Sequence, residues 1–404
     1  MNLNIEIIPT KKFKHIDVSF KFVKKYIRNN ALNDYALCRL IGEYSNKYQT
    51  KIEMSNIKDN LYGISVYGYQ DINCDNTTLN FTYHFLNSKY GASIDESLAF
   101  IKETLLNLYL DQNIVDEIKY NYEAKISRNL DNPSRYTNNR LIQIIGQNNH
   151  LKNRDIDLRY LLDDLSVSSI LENYKNLIDD SDLYIYVIGD VDLNIKDKIS
   201  TWFKSRLNKI DYTYQKLTIN NLDKIIEEKE LSQTYLRVVY NTGYSNINDN
   251  YYKWMVADAL LGASSNALLF KEVREKHSLC YSIGSALLKS EGLMIVSSAI
   301  SYADLDEVLR LIDMCIDILI KQDYDLNELE ITKELLINSL LSNNDDAKNY
   351  IDFIHSNHIL KKDYTIDSII ELIRNVSAND VSDVMKTYQR SLVYVLKGDQ
   401  DGNN

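Results

Sequence analysis

Arg274 and Tyr281 are the pair in this chain best suited to chemistry. They lie seven residues apart in the stretch Leu269-Phe270-Lys271-Glu272-Val273-Arg274-Glu275-Lys276-His277-Ser278-Leu279-Cys280-Tyr281-Ser282-Ile283-Gly284-Ser285. A helix starting near residue 265 is expected to give way to a strand there. Seven residues make two helical turns, so both side chains can face one cleft. A guanidinium fork beside a phenol hydroxyl is a donor pair that could hold a peptide carbonyl and the oxyanion it becomes. The competing reading is a helix-end Arg bonded to a nearby acid and a Tyr packed in a sheet. Gly284 and Ser285 follow on the strand. If exposed, they would leave room for a substrate backbone; a simple bulge would explain them equally well.

A metal-activated water is not provided for in the same way. A catalytic zinc needs three protein ligands around one open position. The six histidines are His15, His84, His150, His277, His355 and His358, and none begins a His-x-x-Glu-His motif. The first expected helix, Asn33 to Gly42, offers a metal only Asp34 and Cys38. Asp352, His355 and His358 fall at helical spacing and could share a face, but an amphipathic helix with two incidental histidines is the simpler account. His277 reads as a solvent-facing helix residue. No metal ligand is therefore assigned in this chain.

The elements that must position these groups occur twice. Leu183-Tyr184-Ile185-Tyr186-Val187-Ile188-Gly189-Asp190 and Leu392-Val393-Tyr394-Val395-Leu396-Lys397-Gly398-Asp399 are both short apolar strands ending in Gly-Asp. Each closes an α+β unit that a helix opens, through Leu40-Ile41-Gly42 in one and Leu260-Leu261-Gly262 in the other. Two such coincidences in the same order point to duplication. In the first unit Leu79 to Phe85 alternates as a half-buried strand. Ser93-x-x-Glu96 reads as a capping box for a helix carrying Leu98, Ile101, Leu105 and Leu108. In the second, Tyr235 to Tyr240 is strand-like, and Ser301-x-x-Asp304 opens a helix with Leu305, Val308, Ile312, Cys315 and Leu319 inward. The charged stretch around Glu227-Glu228-Lys229-Glu230 reads as a linker. The expected division is an N-terminal domain at 1–213, a linker at 214–232 and a C-terminal domain at 233–404.

The Arg274–Tyr281 segment resembles the Leu-Phe-x-x-Leu-Arg-Glu-Lys-x-x-Leu-x-Tyr-Ser signature of the pitrilysin/insulinase family of zinc peptidases. The resemblance covers nearly the whole chain, because the duplicated units and Gly-Asp strands fall where that family's pattern puts them. It implies an α+β fold of two homologous domains, each a mainly antiparallel sheet flanked by helices, forming half of a clamshell. The family's His-x-x-Glu-His motif is missing from the helix at Asn33–Gly42, and Glu123 lies on a helix similar to the one supplying the family's carboxylate ligand. The stretch from Thr82 to Tyr90 and the missing motif look most like bacterial non-peptidase members that stand beside an active paralogue. The resemblance then implies a non-catalytic subunit whose Arg274 and Tyr281 bind the scissile carbonyl in trans. Zinc would sit in a homologous His-x-x-Glu-His-bearing partner, and the substrate would be a short or unfolded peptide, such as a propeptide or leader. The alternative is a purely structural subunit with no catalytic share.

Composition bounds these readings. The 404 residues exceed one ordinary core, and 45% hydrophobic content supports a folded chain. A net charge of −11 argues against nucleic acid or an anionic membrane as a partner. Cys38, Cys74, Cys280 and Cys315 are widely spaced and read as reduced thiols. No apolar run suits a membrane span or a signal peptide, so a cytoplasmic location is expected.

Overall fold

The computed structural model describes residues 3–204, 210, 216–264 and 266–398. The chain divides into two compact units. One comprises Met1–Ser127, Asn153–Tyr212 and Asn344–Ile359; the other comprises Arg128–Lys152, Thr213–Asn343 and Leu360–Asn404.

The first unit is built on strands β1 (Asn4–Pro9), β2 (His15–Lys25), β3 (Ser65–Asn73), β4 (Asn76–Leu86) and β5 (Asp182–Gly189), in the order β1-β5-β2-β4-β3. The second is built on β6 (Lys224–Lys229), β7 (Thr234–Asn241), β8 (Cys280–Leu288), β9 (Leu293–Ile300) and β10 (Gln389–Gly398), in the order β6-β10-β7-β9-β8. Position for position the two orders are the same. Both sheets are antiparallel except at one edge, where β1 runs parallel to β5 and β6 runs parallel to β10. The two Gly-Asp strands are β5 and β10, which hold equivalent places, although Asp399 lies outside the described residues. The duplication and the α+β class expected from sequence are both present.

Glycine repeats the correspondence at the helix that opens each unit. Gly42 has φ +87, and a Cβ there would stand 2.1 Å from Cγ1 of Val66 on β3. A Cβ on Gly262 would stand 2.6 Å from Oγ of Ser285 on β8. In each unit the missing side chain lets a helix end press onto the outermost strand, β3 or β8. Gly42→Ala should cost about 2–3 kcal/mol, from overpacking plus the left-handed backbone; the shift in the urea midpoint measures it.

The domain boundaries need correcting. The helix Pro133–Ile145 belongs to the second unit, where Leu141 and Ile145 join Val239, Leu293, Leu392, Tyr394 and Leu396 in one core. Arg237, buried on β7, anchors that helix by donating from Nε to Oδ1 of Asn138 at 2.6 Å and from Nη2 to Oγ of Ser134 at 2.9 Å. Conversely, the helix Ala347–Leu360 packs Ala347 and Ile351 against Tyr186 and Ile188 of the first unit. The boundary expected at 213/214 falls outside the described residues. Within the expected linker, Lys224–Lys229 is strand β6. Its charges are used: Glu227 accepts from Arg140 at 2.5 Å and from the Tyr394 hydroxyl at 2.9 Å.

Other expectations differ in detail. β4 is buried on both faces apart from His84 and Leu86, because the polar side chains of that face bond one another, as Thr82 does to Ser19 at 2.9 Å. Ser93 caps the helix Ile94–Leu106, but Ser301 makes no side-chain cap, since a short 3₁₀ turn at Tyr302–Asp304 precedes the helix Leu305–Lys321. All four cysteines are free, three of them buried. Among the described residues no helix is long and apolar enough to cross a membrane.

Candidate functional site

Arg274 and Tyr281 do meet, but not by facing the same way along a helix. Arg274 lies in a wide helical turn, Phe270–Lys276, that ends before Tyr281 is reached. Leu279 N–H bonds the Val273 carbonyl at 3.1 Å and Ser278 N–H bonds the Arg274 carbonyl at 3.0 Å. With Ser278 at φ +55, this is a left-handed helix end, which reverses the chain. The chain then enters β8 through a bulge: Cys280 pairs with Ile300 and Ile283 with Ser298, leaving Tyr281 and Ser282 opposite one residue of β9. A bulge re-aims side chains, and Tyr281 emerges 80% exposed.

The guanidinium carbon of Arg274 sits 5.2 Å from the Tyr281 ring centre and 4.5 Å from that of Phe270. The two aromatic faces hold the cation by cation–π attraction. Among the described residues no carboxylate lies within ion-pair distance of Arg274. Phe270 is a contributor that the sequence reasoning passed over; its spacing of four from Arg274 on a helix was the available signal. His277 is exposed and bonds the Glu272 carbonyl through Nδ1 at 2.8 Å.

Gly284 and Ser285 are half-buried rather than exposed. The bare Cα of Gly284 faces the Gly262 carbonyl, with a built Cβ 3.1 Å away. Ser285 donates from Oγ to Oδ1 of Asp258 at 2.6 Å. Both residues serve the contact between helix and strand, and the bulge lies earlier, at Tyr281–Ser282. β8 is nevertheless an outer strand, bonded in its sheet to β9.

Burial pushes the Asp258 carboxyl up to about 7, despite the Ser285 bond and nearby Lys289. The folded state therefore holds this proton more tightly than the unfolded chain does. The stability that the group contributes is present at low pH and lost as pH rises through the folded value. From pH 5 to pH 8 the wild type should lose about 2–3 kcal/mol through this group. Asp258→Asn should flatten that part of the profile, as read from chemical denaturation at the two pH values.

In the first unit, the helix Ala31–Leu40 occupies the place where the resemblance implies a zinc motif. Its Asp34 is fully buried and accepts from Lys24 at 2.5 Å and from Asn173 at 2.8 Å. Burial holds the Asp34 carboxyl above the ordinary carboxylate range in spite of Lys24. Cys38 is buried and its thiol is pushed far up by desolvation. Asp34 is thus committed to an ion pair, and Cys38 is not a ready thiolate. Glu123 is exposed on its helix.

Asp352, His355 and His358 do share a helix face, but their partners differ. Asp352 accepts from Lys21 at 2.6 Å, whereas His355 and His358 each approach the Tyr186 hydroxyl at 3.0 Å through Nδ1. Burial holds the His355 imidazole well below its ordinary range. The three do not form one ligand cluster.

Two equivalent five-stranded sheets, with a half-buried Arg274 beside an exposed Tyr281, define a duplicated α+β protein whose sequence holds no His-x-x-Glu-His. Residues 164–336 match the family model described as Peptidase M16 inactive domain. The probable inactive metalloprotease YmfF of Bacillus subtilis is 24% identical over 416 residues, spanning 98% of this chain and 96% of that protein. The uncharacterized zinc protease YmxG of Bacillus subtilis is 26% identical over 202 residues, 49% of each chain. A conserved protein from Enterococcus faecalis V583 shares the fold with a TM-score of 0.91 at 20% identity, covering 98% of this chain and 97% of that one. Together these likenesses support an inactive-type member of the M16, or pitrilysin/insulinase, peptidase family.

Proposed function

We propose that this chain is the non-catalytic subunit of a two-chain zinc peptidase. A homologous partner bearing His-x-x-Glu-His supplies the zinc and the Glu general base. This chain supplies Arg274 and Tyr281 to the scissile carbonyl and half of the enclosing wall. The observation that carries the reading is the state of Arg274, whose guanidinium rests on Phe270 and Tyr281 with no carboxylate partner among the described residues. A structural Arg usually spends its donors on an acid; this one keeps them for an incoming oxygen. Such donors act where negative charge develops, so they favour the transition state over the bound substrate.

The peptide is short or unfolded and is held partly as an added strand on the outer edge of β8. Gly284 and Ser285 shape that strand from its helix side, so their part in substrate binding is indirect. A propeptide or leader fits these requirements, as does a bacterial, cytoplasmic setting. The similarity to a protein named as a zinc protease, across 49% of the chain, supports a paired origin.

Affinity capture of this chain from its own host, followed by mass spectrometry, tests the pairing. A companion of similar length with His-x-x-Glu-His, recovered in equal amount, is the expected result. Recovery of the chain alone, or within an unrelated assembly, would remove the basis for the pairing and favour a structural subunit.

A further inference from the structure

Across β2 and β4 of the first unit, Asp17 stands opposite His84, and His15 lies two residues before Asp17. Alternate residues of a strand share a face, as do cross-strand partners, so the three side chains converge. Nδ1 of His84 is 2.7 Å from Oδ1 of Asp17, and Nε2 of His15 is 3.7 Å from Oδ2 of the same carboxylate. The two imidazole centres are 3.9 Å apart. One ligand atom from each residue can be chosen so that all lie within 4.8 Å of one another.

We propose that His15, Asp17 and His84 form a binding site for a transition-metal ion of the zinc type. Two imidazoles and a carboxylate are a donor set that suits zinc, cobalt, nickel and copper rather than calcium or magnesium. Ligand atoms about 2.0–2.1 Å from a tetrahedral zinc stand roughly 3.3 Å from one another. The observed separations of 2.7 and 3.7 Å bracket that value, so small side-chain rotations suffice.

Burial supplies an independent reason. The Asp17 side chain is only 6% exposed, and the ion-pair partners found for it are these two histidines. A buried carboxylate requires a compensating cation. Two imidazolium rings stacked this closely would repel each other, whereas one dication satisfies the carboxylate and both neutral rings. Phe13 walls one side, with its ring centre 5.3 Å from that of His15. Asp346 adds negative charge that acts on both imidazoles. His84, 48% exposed, leaves an approach from solvent. The ligands stand on two paired strands, which fix their spacing before any metal arrives. A bound ion would clamp the start of β2 to the end of β4.

The site lies apart from the helix Ala31–Leu40 and does not depend on the peptidase reading. The test uses the full chain, stripped with a chelator and titrated with zinc by calorimetry and with cobalt by visible absorption. One equivalent of each is expected, with a cobalt spectrum of low coordination number. His84→Ala and His15→Gln should each weaken zinc binding at least about tenfold, as loss of a ligand does. His358→Ala should leave binding unchanged. His84 is half-exposed, so its replacement should preserve the fold, and circular dichroism checks this. No saturable zinc binding, binding unaffected by His84→Ala and His15→Gln, or loss of binding in His358→Ala would each overturn the site.

Discussion

Arg274→Ala should lower peptide turnover by the assembled two-chain enzyme about 10²–10³-fold, the effect of deleting one oxyanion donor. That corresponds to about 2.7–4 kcal/mol of lost transition-state stabilisation. The fall should appear mainly in kcat, because the donor acts on charge that develops during reaction. Stability should change little, since Arg274 gives up only contacts with the rings of Phe270 and Tyr281, each worth about 0.5–1 kcal/mol at a solvent-facing site. Tyr281→Phe is the companion variant. It keeps the ring beside the guanidinium and removes only the hydroxyl, so a loss there reports the second donor. Steady-state kinetics on one peptide, with complex formation checked by size-exclusion chromatography, separates catalysis from assembly. Unchanged kcat in Arg274→Ala would leave the chain a scaffold.

The second large effect concerns the helix where a zinc motif would stand. Lys24→Met should destabilise the chain by about 3–5 kcal/mol, because it leaves the Asp34 carboxylate buried without its cation. Asn173 alone then faces Asp34 Oδ1. The loss should be larger at pH 8 than at pH 5. Asp34 already holds its proton more tightly when folded than when unfolded, and removing Lys24 strengthens that tendency. Stability from such a group is lost as pH rises through the folded value. Replacing both residues, as Lys24→Met with Asp34→Leu, should recover most of the loss. Denaturant unfolding at the two pH values measures each term.

How far these features were legible in the sequence depends on the range of the interaction. A period-two run located β4, short apolar or strand-like runs located β5, β7 and β10, and the repeated Gly-Asp endings exposed the duplication, because all these signals are local. Arg274 and Tyr281 were readable as a pair, but the cause of their meeting was not. Helical spacing suggested a shared face, whereas the meeting rests on a left-handed Ser278 and a bulge at Tyr281–Ser282. Ser is not the residue that announces a left-handed turn, and a bulge depends on register with β9.

Long-range partners were hidden for the same reason. Glu227 looked like part of a solvated charge run until Arg140 and Tyr394 were found to engage it. The apolar faces of Pro133–Ile145 and Ala347–Leu360 show that each helix must be buried, yet nothing local shows against which sheet. Ser285 was read as either room for substrate or part of a simple bulge, but its hydroxyl is engaged by Asp258, 27 residues earlier. His15, Asp17 and His84 converge only once β2 and β4 are in register.

The most direct test of the central claim is to assay this chain, its His-x-x-Glu-His partner and their equimolar mixture on one unfolded peptide. Peptidase activity in the mixture alone, with a one-to-one complex in solution, is the predicted result. Full activity of the partner without this chain would contradict the claim, as would a mixture that neither associates nor cleaves.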